Sequence, residues 1–156
     1  MSKCEGEALL RDIVEHPEDD TPRLVYADWL QDHGDEARAE LIRIQCRRAL
    51  LPEGNSESAR LAKREKALLK EHGSKWCDTH LGMVGELRRG FIEHVTTWPH
   101  MFVEAGAELV ERFPVRSLRL RVDAEDAVGV EGIAGQLQPL QRAQRRLRQR
   151  LHAGEM

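Results

Sequence analysis

The sequence predicts an α+β fold that is mainly α: N-terminal helical hairpins first, then a small strand–helix–strand element. Three observations predict it. Apolar residues recur at helical spacing between clear start and stop signals over roughly the first half of the chain. Strict alternation appears only late, most clearly from Val115 to Val122. Aromatic residues are just 4% of the chain, so the core is built from Leu, Val, Ile and Ala, which suits packed helices.

Taken in order, Glu5 to Glu15 forms the first helix, with Leu9, Leu10, Ile13 and Val14 as its apolar stripe. Pro17 stops it, because a proline disfavours the α region for the residue before it. The second helix opens at Thr21-Pro22, with Thr21 as its cap and Pro22 as a first helical residue that needs no N–H partner. Glu18, Asp19 and Asp20 suit its positive end. Tyr26 and Trp29 share one side as core residues, and His33-Gly34 ends it with a left-handed glycine. Asp35 caps a third helix to about Leu50, with Ala37, Leu41, Ile44 and Ala49 or Arg48 inward. Arg38, Glu40, Arg43 and Arg47 are expected in water or in ion pairs. The two helices form an antiparallel hairpin.

Leu51 to Ser56 is a loop, and Ser56 caps a fourth helix that turns Leu61, Leu68 and Leu69 inward and stops at His72-Gly73. A short helix from Ser74 to Leu81 brings Trp76 to the core. Glu86 to Thr97 reads as a strand. Pro99 to Phe113 is helical, ended by Pro114. In the Val115–Val122 strand, Leu118 and Leu120 share the buried side. Residues 1–122 therefore form one domain, followed by a degenerate segment and a basic helical tail over 123–156.

With 156 residues and a net charge of -3, the chain supports one core and gives no global argument for a nucleic-acid or membrane partner. No apolar run reaches membrane-spanning length, and the first residues lack a secretory signal. Cys4, Cys46 and Cys77 are odd in number and unpaired in spacing, which points to reduced thiols and a cytoplasmic location.

Several clusters invite chemistry. Asp19, Asp20, Asp28, Asp32, Asp35 and Glu36 are acidic enough for a metal or general-acid site. Capping and a solvated face account for most of them, and Asp28 alone interrupts an apolar window. An enzyme reading would place a cleft near Asp28, Trp29 and His33. Cys77 and His80 with His94 and His100 lack the paired spacing of structural zinc. Neither Cys46 nor Cys77 has a specified base beside it. Arg88-Arg89 reads as a solvated pair flanking a strand. Arg142, Arg145, Arg146, Arg148 and Arg150, without nearby acids, offer a surface for nucleic acid or an acidic partner. No phosphate loop, serine elbow or zinc-protease motif occurs, and no cofactor is expected.

The run Asp20-Thr21-Pro22-Arg23-Leu24-Val25-Tyr26-Ala27-Asp28-Trp29-Leu30, with Asp32-His33-Gly34-Asp35 and Arg38-Ala39-Glu40-Leu41-Ile42-Arg43-Ile44-Gln45-Cys46, resembles the bacterial repeat-companion domain family. Its landmarks here are Thr21, Pro22, Tyr26, Asp28, Trp29 and Gly34. His72-Gly73 with Trp76, Arg88 to Glu93, and Phe113 to Leu120 extend the resemblance to roughly residues 6–121. Such domains typically precede leucine-rich repeats. The resemblance implies a non-enzymatic interaction, adaptor or capping role and a protein partner that itself contains such repeats. It implies no catalytic residue. Leu118, Leu120, Arg119 and Arg121 on the final strand are the expected partner-binding residues. The sequence departs from the pattern after Val122, where no second repeat unit follows.

Overall fold

The computed structural model of the protein describes residues 2–79 and 83–121. Within them lie α1 (Ser2–Glu15), α2 (Thr21–Asp32), α3 (Glu36–Ala49), α4 (Ser56–Trp76), β1 (Val84–Arg88), β2 (Phe91–Thr97), α5 (Pro99–Arg112) and β3 (Ser117–Leu120). The α+β, mainly α architecture is as the sequence predicts. The division at residue 122 falls at the limit of the described residues.

Punctuation explains most boundaries: Asp35 caps α3 as expected, while the caps of α2 and α4 are displaced by one residue. Thr21 is the first residue of α2, not its cap, and its N–H donates to Asp19 Oδ1 at 2.8 Å. Asp35 caps α3 by accepting from the Arg38 N–H, and Gly34 takes φ +85° between the helices. At α4 the cap is Asn55 rather than Ser56, its Oδ1 accepting from Glu57 and Ser58. Both shifts follow from geometry: the short Asx side chain reaches back to the first free N–H groups.

His72-Gly73 does not stop α4. Gly73 is helical and buried, and the helix runs on to Trp76, so the expected separate helix from Ser74 is its last turn. A helical glycine costs about 1 kcal/mol. Burying Trp76 is worth roughly 3 kcal/mol or more, so the helix continues.

The single strand expected over Glu86–Thr97 is two. Arg89 and Gly90 both take positive φ, +47° and +85°, and close a two-residue hairpin of the kind that suits strand twist. The sheet order is β1-β2-β3, with β1 antiparallel to β2 and β3 parallel to it through the α5 crossover. β2 is covered on both faces: Phe91, Ile92, Glu93, Val95 and Thr97 are all buried.

Two apolar clusters share α3 and β2. One joins Leu41 and Ile44 to Leu68, Trp76, Leu87, Ile92, Val95, Phe102 and Leu109. The other joins Ile42 and Cys46 to Ile13, Ala27, Leu30 and Phe91. The inward face of α3 is therefore wider than the expected Ala37–Leu41–Ile44 line, and Ala49 lies exposed. Arg38, expected in water or in an ion pair, is largely enclosed: its guanidinium carbon lies 5.2 Å from the Trp76 ring centre and 5.7 Å from that of Phe91.

Candidate interaction edge and the ionic clasp behind it

The two ends of the sheet are built differently. β1 carries exposed Glu86 and Arg88, which pair with each other at 2.9 Å, and a register shift interrupts its ladder at Glu86–Leu87. Charge and irregularity are ways of making an edge unattractive to another strand. β3 has neither a bulge nor an acidic side chain. Among the described residues nothing pairs with its outer edge. Leu118 and Leu120 are half-buried against the larger core cluster, while Ser117 and Arg119 face out. Beyond the strand, the Arg121 N–H donates to the Thr97 carbonyl at 2.8 Å, and its guanidinium lies 5.7 Å from the Trp98 ring centre. The four residues expected to meet a partner thus lie together on one edge. The strand is shorter than the Val115–Val122 alternation suggests, and Val122 is outside the described residues.

Behind that edge sits a charge cluster that the sequence did not announce. Arg23, on α2, is fully buried; its Nη2 lies 2.9 Å from Glu93 Oε1 and donates to the Pro17 carbonyl. Its Nη1 donates to the Arg89 carbonyl. Arg89 in turn reaches Glu93 at 3.1 Å and Asp20 at 3.1 Å, and donates to the Pro17 and Glu18 carbonyls. Arg116, just before β3, pairs with Glu18 at 2.6 Å, and its N–H donates to the Glu93 carbonyl at 2.8 Å. Arg89 is therefore a half-buried structural residue rather than a solvated strand flank; of the pair, only Arg88 is solvated.

Three arginines and three carboxylates balance here. They tie the α1–α2 loop, α2, the hairpin turn and the approach to β3 into one block. Burial lowers the Arg23 pKa, opposed by Glu93. The Arg23 Nε makes no hydrogen bond, although Asp20 Oδ1 lies 3.9 Å from it. The only signal in the sequence was weak: Glu93 at an inward position of an alternating strand, beside Arg89 in the turn.

The other candidate residues separate. Asp28 is 74% exposed and pairs with Arg43 at 2.6 Å across the α2–α3 hairpin, which explains why an acid interrupts the apolar window there. Trp29 is stacked between Tyr26 and His33, with ring centres 5.6 Å and 4.1 Å away. The rings of Tyr26 and Trp29 belong to the margin of the smaller core cluster. Thr21 is exposed and Pro22 is buried.

Cys46 lies beside the clasp, its Sγ 4.0 Å from the Arg89 carbonyl oxygen, and burial pushes its thiol up to about 12, so it is a protonated core residue. Burial also raises the Cys77 thiol. His80 lies outside the described residues, as do Arg142, Arg145, Arg146, Arg148 and Arg150. Among the described residues no three His, Cys, Asp or Glu side chains converge to hold a metal ion. Nor is any described helix long and apolar enough to cross a membrane.

Set beside family models, curated proteins and solved structures, the chain matches none of them.

Proposed function

We propose that the protein is a non-enzymatic interaction module whose β3 edge receives a parallel strand, in the manner of a cap on a leucine-rich-repeat array. The observation that carries this reading is the polarity of the sheet. It is blunted at β1 and, among the described residues, unpaired at β3, and β3 already runs parallel to β2 through a helical crossover. Adding another parallel strand extends that geometry, and strand addition supplies main-chain hydrogen bonds while alternate side chains give specificity. A solenoid needs the apolar end of its first repeat covered, and a unit with charged outer helices does so. The resemblance of residues 6–121 to repeat-companion domains favours the same partner class.

The test uses a leucine-rich-repeat array stripped of its own N-terminal cap. Mixing it with the full chain is expected to form a complex and raise the array's melting temperature. Leu118→Pro and Arg119→Glu, each checked for unchanged circular dichroism, should remove the effect. An array unmoved by the wild-type chain, or stabilised equally by both variants, would reject the edge as the docking site.

A further inference from the structure

A cavity of about 410 Å³ opens between α1, α2, α3, β2 and the end of α5, and none of its lining residues belongs to β3. Its volume falls in the range of small-molecule sites, roughly 300–1,000 Å³. The chain has only seven aromatic residues, three Trp, three Phe and one Tyr. Four of them, Tyr26, Trp76, Phe91 and Phe113, line this one cavity. Such concentration in an aromatic-poor chain gives the wall a flat, polarisable character suited to a ring.

Arg38 also lines it. Its Nη2 donates to the Gly90 carbonyl, which fixes the guanidinium plane, while its buried Nη1 has no hydrogen-bond partner. The arginines of the clasp have carboxylates, Arg23 and Arg89 sharing Glu93. No carboxylate among the described residues pairs with Arg38. Burial lowers its pKa to about 10, so it remains a cation at neutral pH. An enclosed, half-satisfied guanidinium is costly to leave unpaired, and its fork matches a planar carboxylate. The exposed lining residues Glu7, Arg11, Glu111 and Arg112 cancel in charge, so the site as a whole suits a monoanion rather than a phosphate.

From these features we infer that the cavity binds a small aromatic carboxylic acid, its carboxylate on Arg38 and its ring against Tyr26, Phe91 and Phe113. The inference does not depend on the β3 edge. The test titrates the full chain with 2-naphthoate and with neutral 2-naphthamide, following tryptophan fluorescence and the arginine Nε–Hε resonances. Naphthoate should bind at one site and shift the Arg38 resonance, with the amide weaker by roughly tenfold or more. Arg38→Met should bring the two probes together. Because Arg38 also packs against the core, Glu111→Lys at the exposed mouth provides a variant that leaves the packing alone; it should tighten naphthoate and not the amide. Equal affinity for the two probes, binding without a shift at Arg38, or no binding by naphthoate would each overturn the site.

Discussion

Two ion pairs on the same helix make an instructive contrast. Asp28 and Arg43 are the closer, at 2.6 Å, but their side chains are 74% and 39% exposed. Arg23 and Glu93 are slightly farther apart, at 2.9 Å, and almost sealed, at 0% and 4%. Distance alone would rank the first as stronger. Water reverses the ranking: an exposed pair is screened and hydrated in either state, whereas removing one member of a buried pair strands the other without solvent. The lesson is that α2 has a replaceable outer face and an irreplaceable inner one.

The sharpest way to break this contrast is to remove one carboxylate at a time. Glu93→Ala should destabilise the fold by about 3–5 kcal/mol, because Arg23 then keeps its burial and loses its closest counter-charge, Asp20 being 3.9 Å away. Asp28→Ala should cost less than about 1 kcal/mol. Urea unfolding midpoints at constant slope measure both. The double variant Arg23→Met with Glu93→Leu should recover much of the first loss, which would show that stranded charge rather than lost attraction sets the size. Similar costs for the two single variants would erase the distinction between the faces.

The same inner-versus-outer division applies to two glycines of equal φ. Gly34 and Gly90 both take φ +85°. A Cβ at Gly34 meets nothing within 4 Å, while at Gly90 it would lie 2.3 Å from Ile42 Cγ1 and 3.0 Å from its Cα. Gly34→Ala should cost about 1 kcal/mol from the left-handed backbone alone. Gly90→Ala adds overpacking and should cost roughly 2–4 kcal/mol, read as a lower thermal midpoint.

The smallest effect belongs to an exposed pair and shows in pH dependence. A side-chain hydrogen bond from His16 to Asp12, at 2.7 Å, raises the His16 pKa above its ordinary 6.5. A folded-state pKa above the unfolded one stabilises the protonated form. That contribution is complete below pH 6.5 and lost as pH rises through the higher folded value. His16→Gln should therefore lower stability slightly near about pH 6 and leave it unchanged near about pH 8. An equal effect at both would mean that packing, not protonation, is involved.

How much of this was legible follows from the range of each interaction. Pro22, Gly34 and Asp35 mark helix ends through bonds and dihedrals spanning a few residues, so they read directly. The Leu118–Leu120 face reads from period two. By contrast, Arg89-Gly90 hid a hairpin inside what scans as one strand, because an arginine rarely takes the positive φ that this turn needs. Gly73 scans as a helix stop, but Trp76 beyond it held the helix together. Arg38 and Arg89 look like any surface arginine, since nothing local distinguishes a solvated guanidinium from one stacked on rings or paired inside.

By itself, then, the sequence determined the helical hairpin, the mainly α character, the closing strand with its leucine face, and the set of residues proposed to meet a partner. These depend on periodicity and on short-range capping, which act before distant segments meet. Only the tertiary structure decided that Arg23, Arg89 and Glu93 form one clasp around a buried ion pair, that Arg38 lines an aromatic cavity with no carboxylate paired to it among the described residues, and that among those residues the sheet is blunted at β1 and unpaired at the outer edge of β3. Each depends on residues far apart in the chain, Arg23 and Glu93 among them, and charge burial is a property of the assembled surroundings rather than of the residue.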